Sequence, residues 1–100
     1  MQASVSSVES KAVIALQGRF DFNAHRDFRL AVEEAMKAEA TVVQVDLAEV
    51  DYLDSSALGM LLMLRDKARS GNRHVELANV RGSVQQVIEI ANFGKLFTII

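Results

Sequence analysis

The first part of the chain combines short β-rich runs with a longer amphipathic run. Val5 begins an extended stretch, and residues 12–16 form a β-rich apolar run that ends near Gly18, which predicts an opening β-hairpin. From Ala24 to Met36 the apolar residues recur at the spacing of one helix face, while charged residues occupy the other faces. This spacing predicts an amphipathic helix.

The middle of the chain has the pattern of a strand, a helix and a second strand. Residues 41–47 are β-branched and nearly continuously apolar, which favours a central strand covered on both faces. Residues 55–69 are good helix formers between the capping residues 54–56 and a helix-ending Ser70-Gly71-Asn72. With a strand at 73–78, this segment predicts a βαβ unit with two parallel strands and a right-handed crossover.

The last part of the chain adds one more helix and one more strand. Residues 83–91 repeat the helical spacing, with Ser83 and Gln86 in the register of a capping box, and residues 97–100 suit a terminal strand. The complete order is ββαβαβαβ. It predicts an α/β fold, with one domain over residues 1–100 in which helices pack on a mixed β-sheet.

Composition narrows the classes of function. Half of the residues are apolar, which is enough for one core. The absence of cysteine excludes a disulfide framework, a thiolate metal site and a cysteine nucleophile. The net charge is −2 and the 11 basic residues are spread along the sequence, so direct binding to nucleic acid is not expected.

Hydropathy predicts a protein that is neither exported nor inserted in a membrane. The longest apolar run, from Ala57 to Leu64, is far shorter than the roughly 20 residues that cross a bilayer. The first residues have neither the basic region nor the apolar segment of a signal peptide. We therefore expect a cytoplasmic protein.

The sequence offers little to support catalysis. His25 and His74 lack the spacing of metal ligands, so we interpret both as surface residues and expect no metal and no cofactor. Ser55 lies at a strand-to-helix turn, as a hydrolase nucleophile does, but a Gly-x-Ser-x-Gly elbow and an obvious histidine base are both missing. A phosphate-binding Gly-x-x-x-x-Gly-Lys loop is also missing. We expect a protein that is not an enzyme.

The most informative motif lies between Asp46 and Leu64. The strand ends in Asp-Leu, a short loop follows, and Asp54-Ser55-Ser56 then leads through Leu58-Gly59 into an apolar helix. In these residues the chain resembles the STAS domains of bacterial anti-sigma factor antagonists. The resemblance extends over nearly the whole chain, including residues 16–21 and 91–97. In two respects the chain differs from the family: Ala57 stands where a glycine is usual, and the chain stops where many relatives add a C-terminal helix.

The resemblance implies a role in partner switching. In this family the unphosphorylated antagonist binds an anti-sigma factor, which is itself a serine kinase that holds ATP and Mg²⁺, and the kinase then releases its target. Phosphorylation of the serine after the aspartate breaks the complex, and a metal-dependent serine phosphatase restores it. In this chain that serine is Ser55.

Physical chemistry favours a switch at the same serine. A phosphate at a helix N-terminus meets unpaired backbone N–H groups and the positive end of the helix dipole, so the helix survives the modification. Asp54 is adjacent, and Asp21 and Asp51 are expected nearby. A phosphate would add about −1.5 to −2 units of charge to this acidic rim. The effect should fall on partner binding more than on folding, whereas the alternative is that the Asp-Ser-Ser segment only caps the helix.

The helix after Ser55 is more apolar than one buried face requires. If one stripe faces the sheet (Ala57, Met60, Leu61, Leu64 and Ala68), then Leu58, Leu62 and Met63 remain for a partner or for a covering element. The candidate partner-binding residues are Asp21, Asp54, Ser56, Leu58, Gly59, Leu62 and Met63. For Asp21 an ordinary turn or N-cap role is equally open, and Ser56 is a candidate for capping or packing.

Two other functions remain open at this point. The domain could be the STAS regulatory subunit of a membrane transporter complex, packed on an ATPase or transport component without a phosphorylation cycle. It could also be a nucleotide- or lipid-binding sensor, which would require a pocket.

Overall fold

Eight regular elements follow one another along the chain in a computed structural model that describes all residues from Met1 to Ile100. The strands are β1 Gln2–Val8, β2 Lys11–Phe20, β3 Val42–Leu53, β4 His74–Ala78 and β5 Thr98–Ile99. The helices are α1 His25–Met36, α2 Ser55–Ser70 and α3 Gly82–Ile90, with short 3₁₀ turns at Phe22–Ala24 and Phe93–Lys95. The predicted order ββαβαβαβ is confirmed.

The strands form one sheet whose spatial order is the order of the chain, β1-β2-β3-β4-β5. The opening hairpin pairs β1 with β2 antiparallel, and all other neighbours are parallel. The predicted central strand is therefore β3, and its parallel pairing with β4 confirms the βαβ unit around α2.

A single core lies on one face of the sheet. Ile14, Val45 and Leu77 are aligned across β2, β3 and β4, and all three are fully buried. All three helices bury their apolar residues in the same cluster, so they lie against this face. The buried residues of α2 are the five predicted from spacing: Ala57, Met60, Leu61, Leu64 and Ala68.

The other face of the sheet is only partly covered, so the prediction that β3 is covered on both faces is wrong. Val42, Gln44 and Asp46 alternate with the buried residues of β3 and remain partly exposed. Lys11 on β2 and Glu76 on β4 form a 2.9 Å ion pair on this face. The run looks continuously apolar in the sequence because Val42 is apolar. A β-branched residue also suits a half-buried position in a strand, so its presence does not show that both faces are covered.

Strand β3 is longer than predicted, since residues 48–53, expected to form a loop, continue the sheet. Their pairing with β2 persists to Phe20 and Leu53 through two register shifts. At the second shift Gly18 has a φ of +101°, which an L side chain rarely adopts. These β-bulges allow the pairing to continue up to the start of α2.

The Asp46 carboxylate holds the first bulge in place. Its Oδ1 accepts hydrogen bonds from the Ala48 N–H at 3.0 Å and from Nδ2 of Asn79 at 2.9 Å. The Arg81 guanidinium donates to the Ala48 carbonyl at 2.9 Å. The segment between β4 and α3 is thereby tied to the bulge in β3.

The start of α3 differs from the prediction. Its N-cap is Arg81, with extended backbone and no side-chain cap, so the capping box of Ser83 and Gln86 does not form. Ser83 already lies within the helix, where its side chain cannot act as an N-cap.

Candidate functional site

Strands β2 and β3 end side by side and present two aspartates at one edge of the sheet. Phe20 and Leu53 are register partners, and the N–H of Asp54 donates to the Phe20 carbonyl at 3.3 Å. Asp21 and Asp54 come directly after these paired residues. The sheet therefore brings together two carboxylates that are far apart in the sequence, as expected for this site.

Asp54 is the N-cap of α2. Its backbone is extended and its Oδ1 accepts a 3.0 Å hydrogen bond from the N–H of Ala57. Ser55 and Ser56 are the first two residues of the helix and both are exposed. Because Asp54 makes the cap, neither serine is needed for it, and Ser56 neither caps nor packs. The backbone N–H groups of both serines lie at the positive end of the helix.

Asp21 has the N-cap role that the sequence left open. Its Oδ1 accepts from the N–H of Asn23 at 3.0 Å and caps the short 3₁₀ turn before α1. Its Oδ2 lies 3.6 Å from Nε of Arg19, whose guanidinium lies 4.1 Å from the centre of the Tyr52 ring. The expected acidic rim therefore also contains a cation.

The predicted partner-binding residues of α2 divide into two groups. Gly59 and Met63 follow Ser55 at successive intervals of one helical turn and are exposed; we call these three residues the Ser55 stripe. Met63 is 61% exposed, and a Cβ at Gly59 would meet no atom within 4 Å. Leu58 and Leu62 are half-buried and pack against the core. The accessible part of the predicted surface is thus the Ser55 stripe together with exposed Ser56.

Exposed aromatic residues at this edge were missed by the sequence reasoning. Phe22 directly follows Asp21, is 68% exposed, and belongs to a turn that contacts α2. Tyr52 is also exposed. Aromatic side chains are frequent anchors of protein interfaces. The sequence does indicate an exposed Phe22, because it stands between Asp21 and Asn23 in a predicted turn, where an aromatic side chain is less easily buried.

The remaining candidate residues are the two histidines, and neither belongs to a cluster of potential metal ligands. His25 and His74 are both exposed, as predicted, and lie on different elements. A small groove of about 190 Å³ runs between α1 and α2 and is lined by Phe28, Met60 and Met63 among others. This groove borders the Ser55 stripe at Met63.

The protein is a small α/β domain with the STAS fold. Its strands follow chain order in the sheet, its helices lie on one face, and α2 begins at an aspartate cap. The chain belongs to the STAS-domain family, because the family model described as "Mlab, STAS domain" matches residues 3–99. A STAS-domain containing protein of Pseudomonas aeruginosa is 51% identical over 86 residues, which are 86% of this chain and 84% of the relative.

Solved structures of other proteins share the fold at low sequence identity. The unphosphorylated form of the anti-sigma factor antagonist SpoIIAA matches with a TM-score of 0.72 and 20% identity, over 98% of this chain and 86% of that one. The phosphorylated form of SpoIIAA from Bacillus matches with the same TM-score of 0.72 and 18% identity, over 98% and 90% of the two chains. A sulfate transporter family protein from Wolinella succinogenes matches with a TM-score of 0.75 and 11% identity, over 90% and 73%. No helix of the present chain is long and apolar enough to cross a membrane.

Proposed function

We propose that this protein is an anti-sigma factor antagonist of a partner-switching pathway and that Ser55 is its phosphorylated residue. The observation that carries the proposal is the exposed Ser55 hydroxyl at the start of α2, next to an aspartate that already caps the helix. A kinase can therefore modify Ser55 without removing a hydrogen bond on which the helix depends.

In this proposal the protein is the substrate and ligand of other proteins and has no catalytic activity of its own. In the cytoplasm, its unphosphorylated form binds an anti-sigma factor. This anti-sigma factor is a serine kinase that holds ATP and Mg²⁺. The kinase releases its sigma factor or other target, then phosphorylates Ser55 and dissociates. A metal-dependent serine phosphatase returns the protein to its binding form.

Electrostatics supplies the physical basis of the switch. A phosphate on Ser55 would lie beside Asp54 and on the sheet edge that also holds Asp21. Arg19 offsets the charge of Asp21, so the repulsion would come mainly from Asp54. The helix dipole offsets part of this repulsion within the protein. A partner whose surface fits the uncharged serine would instead have to bury about −1.5 to −2 units of charge. Binding is therefore lost while the fold is kept.

Gly59 provides independent support for a partner on the Ser55 stripe. A glycine inside a helix destabilises it by about 0.5–1 kcal/mol relative to alanine. Nothing within the chain requires this glycine, since a Cβ there would meet open space. A partner that approaches the helix backbone closely would explain it. The proposed interface contains the Ser55 stripe with Ser56, Asp54 and Asp21, and Leu58 and Leu62 contribute their exposed edges.

Phosphorylation in vitro tests the proposal directly. The protein is incubated with ATP, Mg²⁺ and the candidate kinase, and the site of the phosphate is found by fragmentation of the peptide that spans residues 54–64. We expect one phosphate, on Ser55, which is lost in Ser55→Ala and kept in Ser56→Ala. Ser56 is an apt control because it is also exposed and is one residue away. A phosphate on Ser56 alone, or none, would contradict the assignment.

A second candidate function is that of a STAS regulatory subunit of a transporter complex without a phosphorylation cycle. The shared fold with a protein of the sulfate transporter family supports it. In that case the domain would pack on an ATPase or transport component, and its affinity would not depend on phosphorylation. Binding of wild type and Ser55→Asp to each purified component separates the two functions: only the partner-switching function predicts a large loss with aspartate.

A further inference from the structure

A cleft of about 720 Å³ opens at the end of α2 opposite Ser55. It is lined by the last turns of α2, the start of β4 and residues 94–98. None of its lining residues is acidic, whereas four are arginine or lysine: Arg65, Arg69, Arg73 and Lys95. The basic residues are spread along the sequence, and the fold brings four of them together at this cleft.

The positive charges of the cleft are not neutralised by carboxylates. The three ion pairs of the protein use Lys11, Arg19 and Arg29, and none of these lines the cleft. Arg65 donates from Nε to the Leu96 carbonyl at 2.8 Å, and Arg73 donates to the Met36 carbonyl at 3.1 Å. Arg73 also donates to the Ala35 carbonyl at 3.4 Å, so both of its terminal nitrogens are used at the end of α1. Arg65, Arg69 and Lys95 have no carboxylate partner and remain to meet an anion. In a protein of net charge −2, this is a preorganised site for an anion.

We propose that the cleft binds a short acidic segment of a partner protein. Guanidinium groups pair with carboxylates through charge-assisted, often bidentate hydrogen bonds. The cleft also contains the C-terminal end of α2, where carbonyl groups give the helix its negative pole. The last-turn carbonyl groups of Ala68 and Arg69 already accept hydrogen bonds from the N–H groups of residues 71–73. Recognition therefore rests on the carboxylates of the peptide and the cations of the cleft.

Other anions fit the cleft less well. A compact phosphate would occupy little of a cleft of about 720 Å³ and could not contact all of its cations at once. An extended nucleic acid would leave the cleft and run over the rest of a protein whose whole sequence has 13 acidic residues and 11 lysines and arginines. A flat membrane cannot enter a concave site. The chemistry therefore favours a short, flexible, carboxylate-rich chain.

This contact would be separate from the phosphorylation switch. Ser55 and Ser70 are the first and last residues of the 16-residue helix α2, so its two ends lie about 22 Å apart at a rise of about 1.5 Å per residue. Exposed charges at that separation are largely screened at physiological salt. Binding at the cleft is therefore expected in both phosphorylation states, and it does not depend on the function proposed for Ser55.

Fluorescence anisotropy with a labelled glutamate-rich peptide at low salt tests the proposal. We expect saturable binding that weakens with salt and falls by about tenfold or more in Arg69→Glu and in Lys95→Glu. Lys67→Glu is the matched control, because it makes the same charge change in the same last turn of α2 but lies outside the cleft. It should change the affinity by no more than about twofold.

Two results would overturn the proposal. An equal loss in Arg69→Glu and Lys67→Glu, with both variants folded by circular dichroism, would show only diffuse attraction to the protein surface. Absence of binding to the peptide, with Arg69-dependent binding of inorganic phosphate, a DNA oligonucleotide or anionic lipid vesicles, would assign the cleft to a different ligand class.

Discussion

Asp21 and Asp54 lie directly after the ends of two paired strands, and each caps the helical turn that follows it. Each follows one member of the Phe20 and Leu53 pair, and each accepts a 3.0 Å hydrogen bond through Oδ1 from an N–H of the helical turn that it begins. The two caps fix the direction in which the chain enters α1 and α2. The position of Ser55 is therefore set by the sheet through Asp54 and not by a flexible loop.

Asp54 caps α2 and Ser55 does not, so substitution of each by alanine should change the stability of the fold by different amounts. Asp54→Ala should lower the free energy of unfolding by about 0.5–2 kcal/mol, because the N–H of Ala57 loses its partner. Ser55→Ala should change it by less than about 0.5 kcal/mol, as is usual for an exposed residue outside a cap. Urea unfolding measures both values. An equal or larger loss in Ser55→Ala would show that the Ser55 hydroxyl stabilises the helix start.

Charge at Ser55 should control partner affinity. Ser55→Asp places an anion at a helix N-terminus, so it should fold at least as well as Ser55→Ala. An unpaired charge in an interface costs about 2–5 kcal/mol, which corresponds to a loss of roughly 30-fold or more in affinity for the kinase. Ser55→Ala should bind like wild type and should not be released by ATP. Isothermal titration calorimetry with the purified kinase measures these affinities.

Ser83→Asp is the matched control for this experiment. Ser83 is an exposed serine in the first turn of α3, so the substitution adds the same charge in a similar helical setting on a different helix. Its affinity for the kinase should equal that of wild type. Equal affinities for Ser55→Asp and Ser83→Asp would show that Ser55 lies outside the interface.

Substitution of two glycines by alanine should have opposite effects on stability. Gly59→Ala should stabilise the fold by about 0.5–1 kcal/mol, since the new methyl group meets open space within a helix. Gly18→Ala should destabilise it by more than about 1 kcal/mol, because φ at this position is +101°. Thermal unfolding gives both shifts. If Gly59→Ala stabilises the protein and binds the kinase unchanged, the glycine does not mark a close contact with the partner.

Neighbouring residues of α2 should separate folding from binding. Leu62→Glu should destabilise the fold by about 1–3 kcal/mol, because Leu62 packs against the core and a carboxylate there would be partly desolvated. Met63→Glu should cost less than about 0.5 kcal/mol, since Met63 is 61% exposed. We expect Met63→Glu to weaken kinase binding while it remains folded. Wild-type affinity in that variant would remove Met63 from the interface.

Hydrophobic spacing was sufficient to predict the elements that contact one core. The five buried residues of α2 follow from helical periodicity alone, because a helix on a sheet buries one stripe. Helical periodicity also predicted α1 and α3 and their places in the order of strands and helices. Asp54 before an apolar run was also enough to predict a helix start, since a cap is a local interaction.

Features that depend on register and tertiary proximity could not be predicted. The extension of β3 to Leu53 needs a partner strand and two bulges, and one of these is held by Asn79, which lies far along the chain from Asp46. The basic cleft joins Arg65 to Lys95 only after β4, α3 and the C-terminal segment have folded back. Leu58 and Leu62 were ambiguous because periodicity alone does not define the edges of the buried stripe.

The agreement between spatial order and chain order in the sheet has a consequence for biosynthesis. Each new strand pairs with the strand made just before it, so none has to insert between partners that are already paired. The three parallel pairings each span a helix and are therefore long-range and slow to form, but the N-terminal part of a chain generally folds first during translation. The sheet can therefore grow strand by strand as the chain leaves the ribosome. At the β5 side of the sheet, the edge strand Thr98–Ile99 is only two residues long. It therefore exposes few unpaired backbone groups with which another nascent chain could pair.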